Sequence, residues 1–204
     1  MLKKIVTLCD VFSQGYVFKA VYLLSFFSFL RLSSLAPNAI LTFDPLKHLC
    51  RGDVFISKRR ASVLVKWSKT LQFGDKVKII HLPYLANELC PISALKTLLR
   101  CQPAGDNLPL FQFHNGTHWI PLTDSRIRKN FKSILQKMEL QSSNLTMHSF
   151  RRSGATYAFN NNTPLQSIQQ HGIWSSDCVW RYICDSAETG LQVASMFERT
   201  LTTH

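Results

Sequence analysis

Residues 145–184 read LTMHSFRRSGATYAFNNNTPLQSIQQHGIWSSDCVWRYIC. His148 and Arg151 stand three positions apart, so a helix presents both from one face. Thr146 is placed to cap that helix. Thr163-Pro164 predicts a second helix start, with Pro at the first helical position, and Gly172 its end. Ser175 or Ser176 can cap a third helix, which carries Tyr182 eight positions after Trp174. These residue types suit phosphodiester chemistry. A guanidinium holds phosphate oxygens, imidazole and indole N–H groups donate hydrogen bonds, and a tyrosine hydroxyl can attack phosphorus. The plainer alternative is a buried helix pair with incidental polar residues.

Upstream, residues 3–31 read as two helices separated near Gly15. Leu2, Ile5, Val6, Cys9 and Phe12 approximate a helical stripe. Tyr16–Arg31 is apolar almost all round, which predicts a central buried helix ending at Arg31. Leu32-Ser33-Ser34-Leu35 offers Arg31 no acid, so its partner is either solvent or a phosphate. Pro37 and Pro45 mark a loop. Residues 53–57, 62–68 and 77–82 then alternate as strands of an antiparallel meander, joined by the basic tip Lys58-Arg59-Arg60 and by residues 72–75. Lys69 falls at the turn after the second strand, either solvated or reaching across a groove. A helix from Pro91 to Leu99, a hairpin about Asn115-Gly116 and an amphipathic helix from Asp124 to Leu140 follow. Arg126, Arg128, Lys129, Lys132 and Lys137 make the last one basic, as a solvated face or a phosphate-tracking one. The fold class expected is mainly α with a small antiparallel β-sheet.

Lys and Arg number 24 against 12 Asp and Glu, a formal net charge of +12. That balance favours an anionic partner, with nucleic acid the commonest, over surface charge serving solubility alone. A hydrophobic content of 46% in 204 residues supports one folded core rather than a disordered chain. Cys9, Cys50, Cys90, Cys101, Cys178 and Cys184 lack metal or disulfide spacing and read as reduced core thiols of an intracellular protein. His114 and His118 flank a hairpin tip and are not assigned a metal. The apolar run Val21–Leu30 is shorter than the about 20 residues a membrane span needs.

Taken together, these motifs resemble the catalytic domain of the tyrosine recombinases, the phage integrase family, from about Leu23 to Gly190. The family's first arginine sits in a Phe-x-x-Leu-Arg-x-Ser context, matched within Phe26-Phe27-Ser28-Phe29-Leu30-Arg31-Leu32-Ser33. Its β-hairpin lysine corresponds to Lys69, its His-x-x-Arg box to His148 and Arg151, its His-or-Trp position to Trp174, and its nucleophile to Tyr182. Gly172-Ile173-Trp174-Ser175-Ser176-Asp177 with Arg181-Tyr182-Ile183 is similar to recombinases of DIRS-like and Crypton-like mobile elements. Residues 185–190 are similar to the segment after the nucleophile in Cre recombinase. Two departures stand out. The family places Glu or Asp three residues after the first arginine, where this chain has Ser34, which carries no charge. The chain also begins almost at the catalytic domain, so the N-terminal core-binding domain is expected to be absent.

The resemblance implies one catalytic domain over residues 1–204 that cleaves and rejoins double-stranded DNA in recombination or integration. Arg31, Arg151, His148 and Trp174 would serve the phosphate, Tyr182 would form a 3′-phosphotyrosine, and Lys69 would protonate the departing 5′ oxygen. It implies no cofactor or metal, and a homotetramer on paired sites with residues 187–204 as a docking helix. A eukaryotic host would imply a nuclear location. The alternatives are a DNA-binding remnant with impaired catalysis and a topoisomerase-like nicking activity without partner exchange.

Overall fold

The computed structural model describes residues 1–67, 77–174, 177–181 and 183. Two helices open the chain, α1 (Leu2–Cys9) and α2 (Gly15–Ser28). A single turn, α3 (Leu32–Leu35), precedes an irregular stretch and the strands β1 (Val54–Ile56), β2 (Arg60–Val65) and β3 (Lys78–Pro83). Then come α4 (Pro91–Cys101), the hairpin β4 (Gln112–His114) and β5 (Trp119–Pro121), and α5 (Asp124–Lys137). The last described elements are α6 (Met147–Asn160), α7 (Leu165–His171) and a 3₁₀ turn, Asp177–Arg181. The architecture is mainly helical with two small antiparallel sheets, as the residue pattern predicts.

The apolar run of α2 makes it the centre of the molecule. Val17, Val21, Tyr22, Leu23 and Leu24 are fully buried, and the helix packs against α1, α4, α6 and β3. Tyr22 stacks on Phe150 of α6 at 5.1 Å. Its hydroxyl donates to Asn130 Oδ1 of α5 at 2.7 Å, satisfying two buried polar groups at once. In the larger sheet, β2 pairs with β1 and β3, setting Val63 opposite Val54 and Ile80. Ala61, Val63, Val65, Ile80 and Leu82 face the core. The alternate residues Phe55, Ile79 and His81 stay exposed, which is the period-two pattern of a half-buried sheet.

Local capping chemistry sets the helix starts. Thr123 Oγ1 accepts from Arg126 N, opening α5. Thr146 Oγ1 accepts from His148 N at 3.2 Å while Ser149 Oγ accepts from Thr146 N at 3.0 Å, a reciprocal box that opens α6. Other boundaries differ from the sequence reading. α2 stops at Ser28, three residues short of Arg31, because Phe29 turns left-handed at φ 53°. α5 stops at Lys137, with Glu139 left-handed and Leu140 N donating back to Leu135 O at 2.8 Å. α7 starts at Leu165, with Pro164 as its cap. Cys9, Cys50 and Cys90 are buried thiols as expected, but Cys101 is exposed at the end of α4; Cys178 and Cys184 lie outside the described side chains. Among the described residues no helix is long and apolar enough to cross a membrane.

Gly154 lets α6 lie directly on the end of α2. A Cβ there would stand 2.1 Å from the Phe26 carbonyl oxygen and 2.7 Å from the Phe29 ring. Backbone cannot yield as a side-chain tip can, so Gly154→Ala should cost about 1–3 kcal/mol. Thermal unfolding should show a midpoint lower by several degrees, at about 2–4 °C per kcal/mol for a chain of this size.

Candidate active site

A helix ends with carbonyl groups that have no partner within it, and with the negative pole of its dipole. At the end of α2 these carbonyls are met by side chains from elsewhere in the chain. Arg151 Nη1 donates to the Phe29 carbonyl. Its Nη2 donates to the Gly172 carbonyl at 2.9 Å. His171 Nε2 contacts the Phe27 carbonyl at 2.8 Å. The Arg151 guanidinium also lies 4.0 Å from the centre of the Trp174 ring. Arg151 is 2% exposed. Burying a charge so completely is costly, and two carbonyls plus an aromatic face are what offset it. These contacts hold the guanidinium under the surface rather than on it.

The turn after α7 supplies half of that arrangement. Ile173 N donates to Gln170 O at 3.3 Å and Trp174 N to Gln169 O at 3.0 Å, a Schellman motif. The left-handed residue is not Gly172, which the sequence reading assigned to end the helix; Gly172 has φ −81°. Ile173 takes that conformation at φ 55°. A β-branched residue there is strained. Gly172 is needed for another reason, since a Cβ on it would sit 1.8 Å from the Trp174 ring. The missing side chain is what allows the indole to fold back over the turn. Trp174 then packs with Phe29, Ala155, Ile168, Val179 and Ile183 in a second apolar cluster, separate from the main core.

His148 and Arg31 sit on the outer side of this arrangement. Arg31 is half-buried and caps α3 with extended backbone. His148 is exposed on the first turn of α6. The protein packed against the inner side of its ring lowers the His148 pKa, and the positive charges of Arg151, Arg31 and Arg152 lower it further. Both effects favour the neutral imidazole, the form that can accept a proton. Arg31, distant in sequence, is among these charges, so the fold brings it towards the His148–Arg151 pair on α6.

Lys69 and Tyr182 lie outside the described residues. Nearby, Lys66 is engaged by Asp53 Oδ2 at 2.7 Å, an ion pair at the base of β2. Asp53 Oδ2 also accepts from Cys50 N at 2.7 Å. On α5, Arg128 pairs with Asp124 and Arg126 lies 4.1 Å over the Phe113 ring, whereas Lys129 and Lys132 are exposed. Among the described residues no group of three or more His, Cys, Asp and Glu gathers in a way that could hold a metal ion.

Neither a protein-family model nor a curated protein sequence matches the chain. Solved structures do. The XerH site-specific recombinase bound to its difH substrate superposes with a TM-score of 0.64 at 18% identity, over 96% of this chain and 52% of that one. The Tn1549 transposon integrase in complex with circular intermediate DNA gives 0.61 at 14% identity, over 95% and 62%. The Flpe–Holliday junction complex gives 0.57 at 15%, over 100% and 46%. This is the catalytic-domain fold of the tyrosine recombinases. The chain spans about half to three fifths of the length of the solved recombinases it resembles.

Within this recombinase fold, the structure brings together four of the six residues singled out from sequence: Arg31, His148, Arg151 and Trp174. Two contributors escaped that reading. His171, which directly precedes Gly172, has no motif around it that marks it as part of the site. Phe29 contributes a carbonyl and a ring, neither of which has a sequence signature.

Two outcomes test this geometry. Gly172→Ala should displace the indole, so its near-UV circular dichroism should lose the same band that Trp174→Phe loses, at a stability cost of about 1–3 kcal/mol. The second concerns charge. Removing a positive neighbour favours protonation, so Arg31→Gln should raise the His148 pKa, and Arg152→Gln should raise it less. NMR titration of the ring Cε1–H reads both shifts. The sign also carries over to stability: a histidine harder to protonate when folded lowers stability as pH falls below about 6.5.

Proposed function

We propose that this chain cleaves and rejoins DNA strands through a covalent 3′-phosphotyrosine, with Tyr182 as nucleophile. The observation that carries the proposal is the convergence of Arg31, His148, Arg151 and Trp174 at the end of α2, within a fold shared with solved recombinases. The Tyr182 hydroxyl oxygen attacks phosphorus and loses its proton, for which neutral His148 is a suitable acceptor. The bond to the 5′ oxygen breaks, and that oxygen takes a proton from Lys69. Negative charge develops on the nonbridging oxygens. Arg31, the more exposed guanidinium, meets it directly, and Arg151 contributes its fixed charge and positions Trp174. The phosphotyrosine conserves the diester's energy, so a 5′ hydroxyl of another strand can reverse the step without a metal or nucleotide.

Support for a DNA partner comes from the formal charge of +12 and from the exposed Lys129 and Lys132 of α5. The XerH, Tn1549 integrase and Flpe structures were each solved with DNA. Residues 1–204 would act as one catalytic unit, with residues 187–204 docking on a neighbouring copy in a tetramer on paired sites. In a eukaryotic host the protein would work in the nucleus.

One observation favours a second reading, a DNA-binding protein that no longer turns over. Ser34, where the family places an acid, is 3% exposed and its N–H donates to the Arg31 carbonyl at 2.9 Å. A buried neutral group there leaves Arg31 without a carboxylate three residues on.

A nicked suicide duplex resolved on a denaturing gel separates the two. The proposal expects a protein–DNA adduct with the wild-type chain and none with Tyr182→Phe, whose DNA affinity should stay within about threefold because the lost oxygen acts in the transition state. Unchanged trapping by Tyr182→Phe would exclude Tyr182 as nucleophile, and binding without any adduct would establish the second reading. Recombinant junction products would distinguish strand exchange from topoisomerase-like nicking.

A further inference from the structure

We propose that His171 is a positioning residue of this site, tying the turn that carries Trp174 to the end of α2. The inference rests on the recombinase reading for its effect on cleavage, and on geometry alone for its effect on the turn.

His171 is the last residue of α7, bonded directly to Gly172. Its Nε2 lies 2.8 Å from the Phe27 carbonyl, in the last turn of α2. A carbonyl oxygen can only accept, so Nε2 carries the proton and the tautomer is set by this contact. The ring meets Phe29 edge-on, with centroids 4.8 Å apart. Phe29 in turn meets the Trp174 ring at 6.1 Å. The imidazole therefore holds two points at the end of α2, a carbonyl and an aromatic face. The next residue's carbonyl receives Arg151 Nη2. A shift of His171 away from α2 moves that acceptor with it, together with the turn bearing Trp174.

Burial lowers the His171 pKa, and the charges of Lys78 and His81 on β3 lower it too, against the raising effect of the Phe27 carbonyl. The neutral ring suffices for the role, because the Nε2–H is present in either charge state. A leucine would fill the same space but could not donate. The Phe27 carbonyl would then lose its imidazole partner at a helix end. Strain at Ile173 makes the tether more consequential. A turn held in an unfavourable conformation persists only while its surroundings impose it.

The test compares His171→Leu with His171→Gln, whose side-chain amide keeps a donor at similar reach. Both are made in the full chain and read two ways. The first is amide hydrogen exchange without DNA at Ile173 and Trp174, whose N–H groups close the turn. The second is single-turnover adduct formation on a nicked suicide duplex, with DNA affinity measured alongside. H171L should exchange faster at those two amides by about tenfold. It should also form adduct more slowly by about tenfold or more, with affinity unchanged, because misplacing a reacting group by a fraction of an ångström is enough. H171Q should restore both towards wild type. If H171L does not fold, His171→Asn, whose donor is too short to reach, takes its place. Wild-type exchange in H171L, or H171Q failing as badly as H171L, would overturn the proposal. If the wild-type chain forms no adduct, the recombinase reading fails instead, and the exchange comparison alone decides whether His171 holds the turn.

Discussion

A buried guanidinium at the end of a helix organises this molecule. Helix α2 runs through the core and ends with carbonyls that have no partner further along the helix. Arg151, four positions into α6, is buried against them and against the Trp174 ring. Neither partner is stable in that place alone. The arginine needs acceptors to offset its desolvation, and the helix end needs donors and positive charge. Each charge-assisted hydrogen bond of this kind contributes about 1.5–3 kcal/mol, enough to hold α2, α6 and the turn after α7 in one arrangement.

That arrangement also explains why the site has its own apolar cluster. Phe29, Ala155, Ile168, Trp174, Val179 and Ile183 pack apart from the main core. The main core fixes α2 and α6, through Tyr22 stacked on Phe150 and anchored to Asn130. The second cluster fixes the parts that follow α6. Arg151 and His171 are the polar links between the two. The left-handed isoleucine at position 173 shows that this link carries strain, which local sequence preference alone would not tolerate.

Much of this was legible beforehand. The cap at Thr146 could be read because a hydroxyl reaches a backbone N–H two residues on, a purely local geometry. The burial of α2 could be read because its apolar residues leave no polar face. The strands followed from alternation. The errors were also physical. Phe29 and Ile173 occupy backbone conformations that favour glycine, because tertiary contacts impose them. Gly172 does end α7, but the left-handed residue is Ile173, and the missing side chain of Gly172 serves to make room for an indole. Cys101 was assigned to the core with the other thiols, yet the end of α4 leaves it exposed.

Residue spacing alone determined the helical class, the meander and the identity of the polar residues worth watching, since periodicity and capping act over a few positions. It could not determine which polar residues meet. Arg31 and Arg151 are separated by most of the chain, and only packing of α6 on α2 places both in the field of one imidazole. Tertiary structure alone decided that Arg151 braces the end of α2, because the Phe29 and Gly172 main-chain carbonyls that it meets carry no sequence signature.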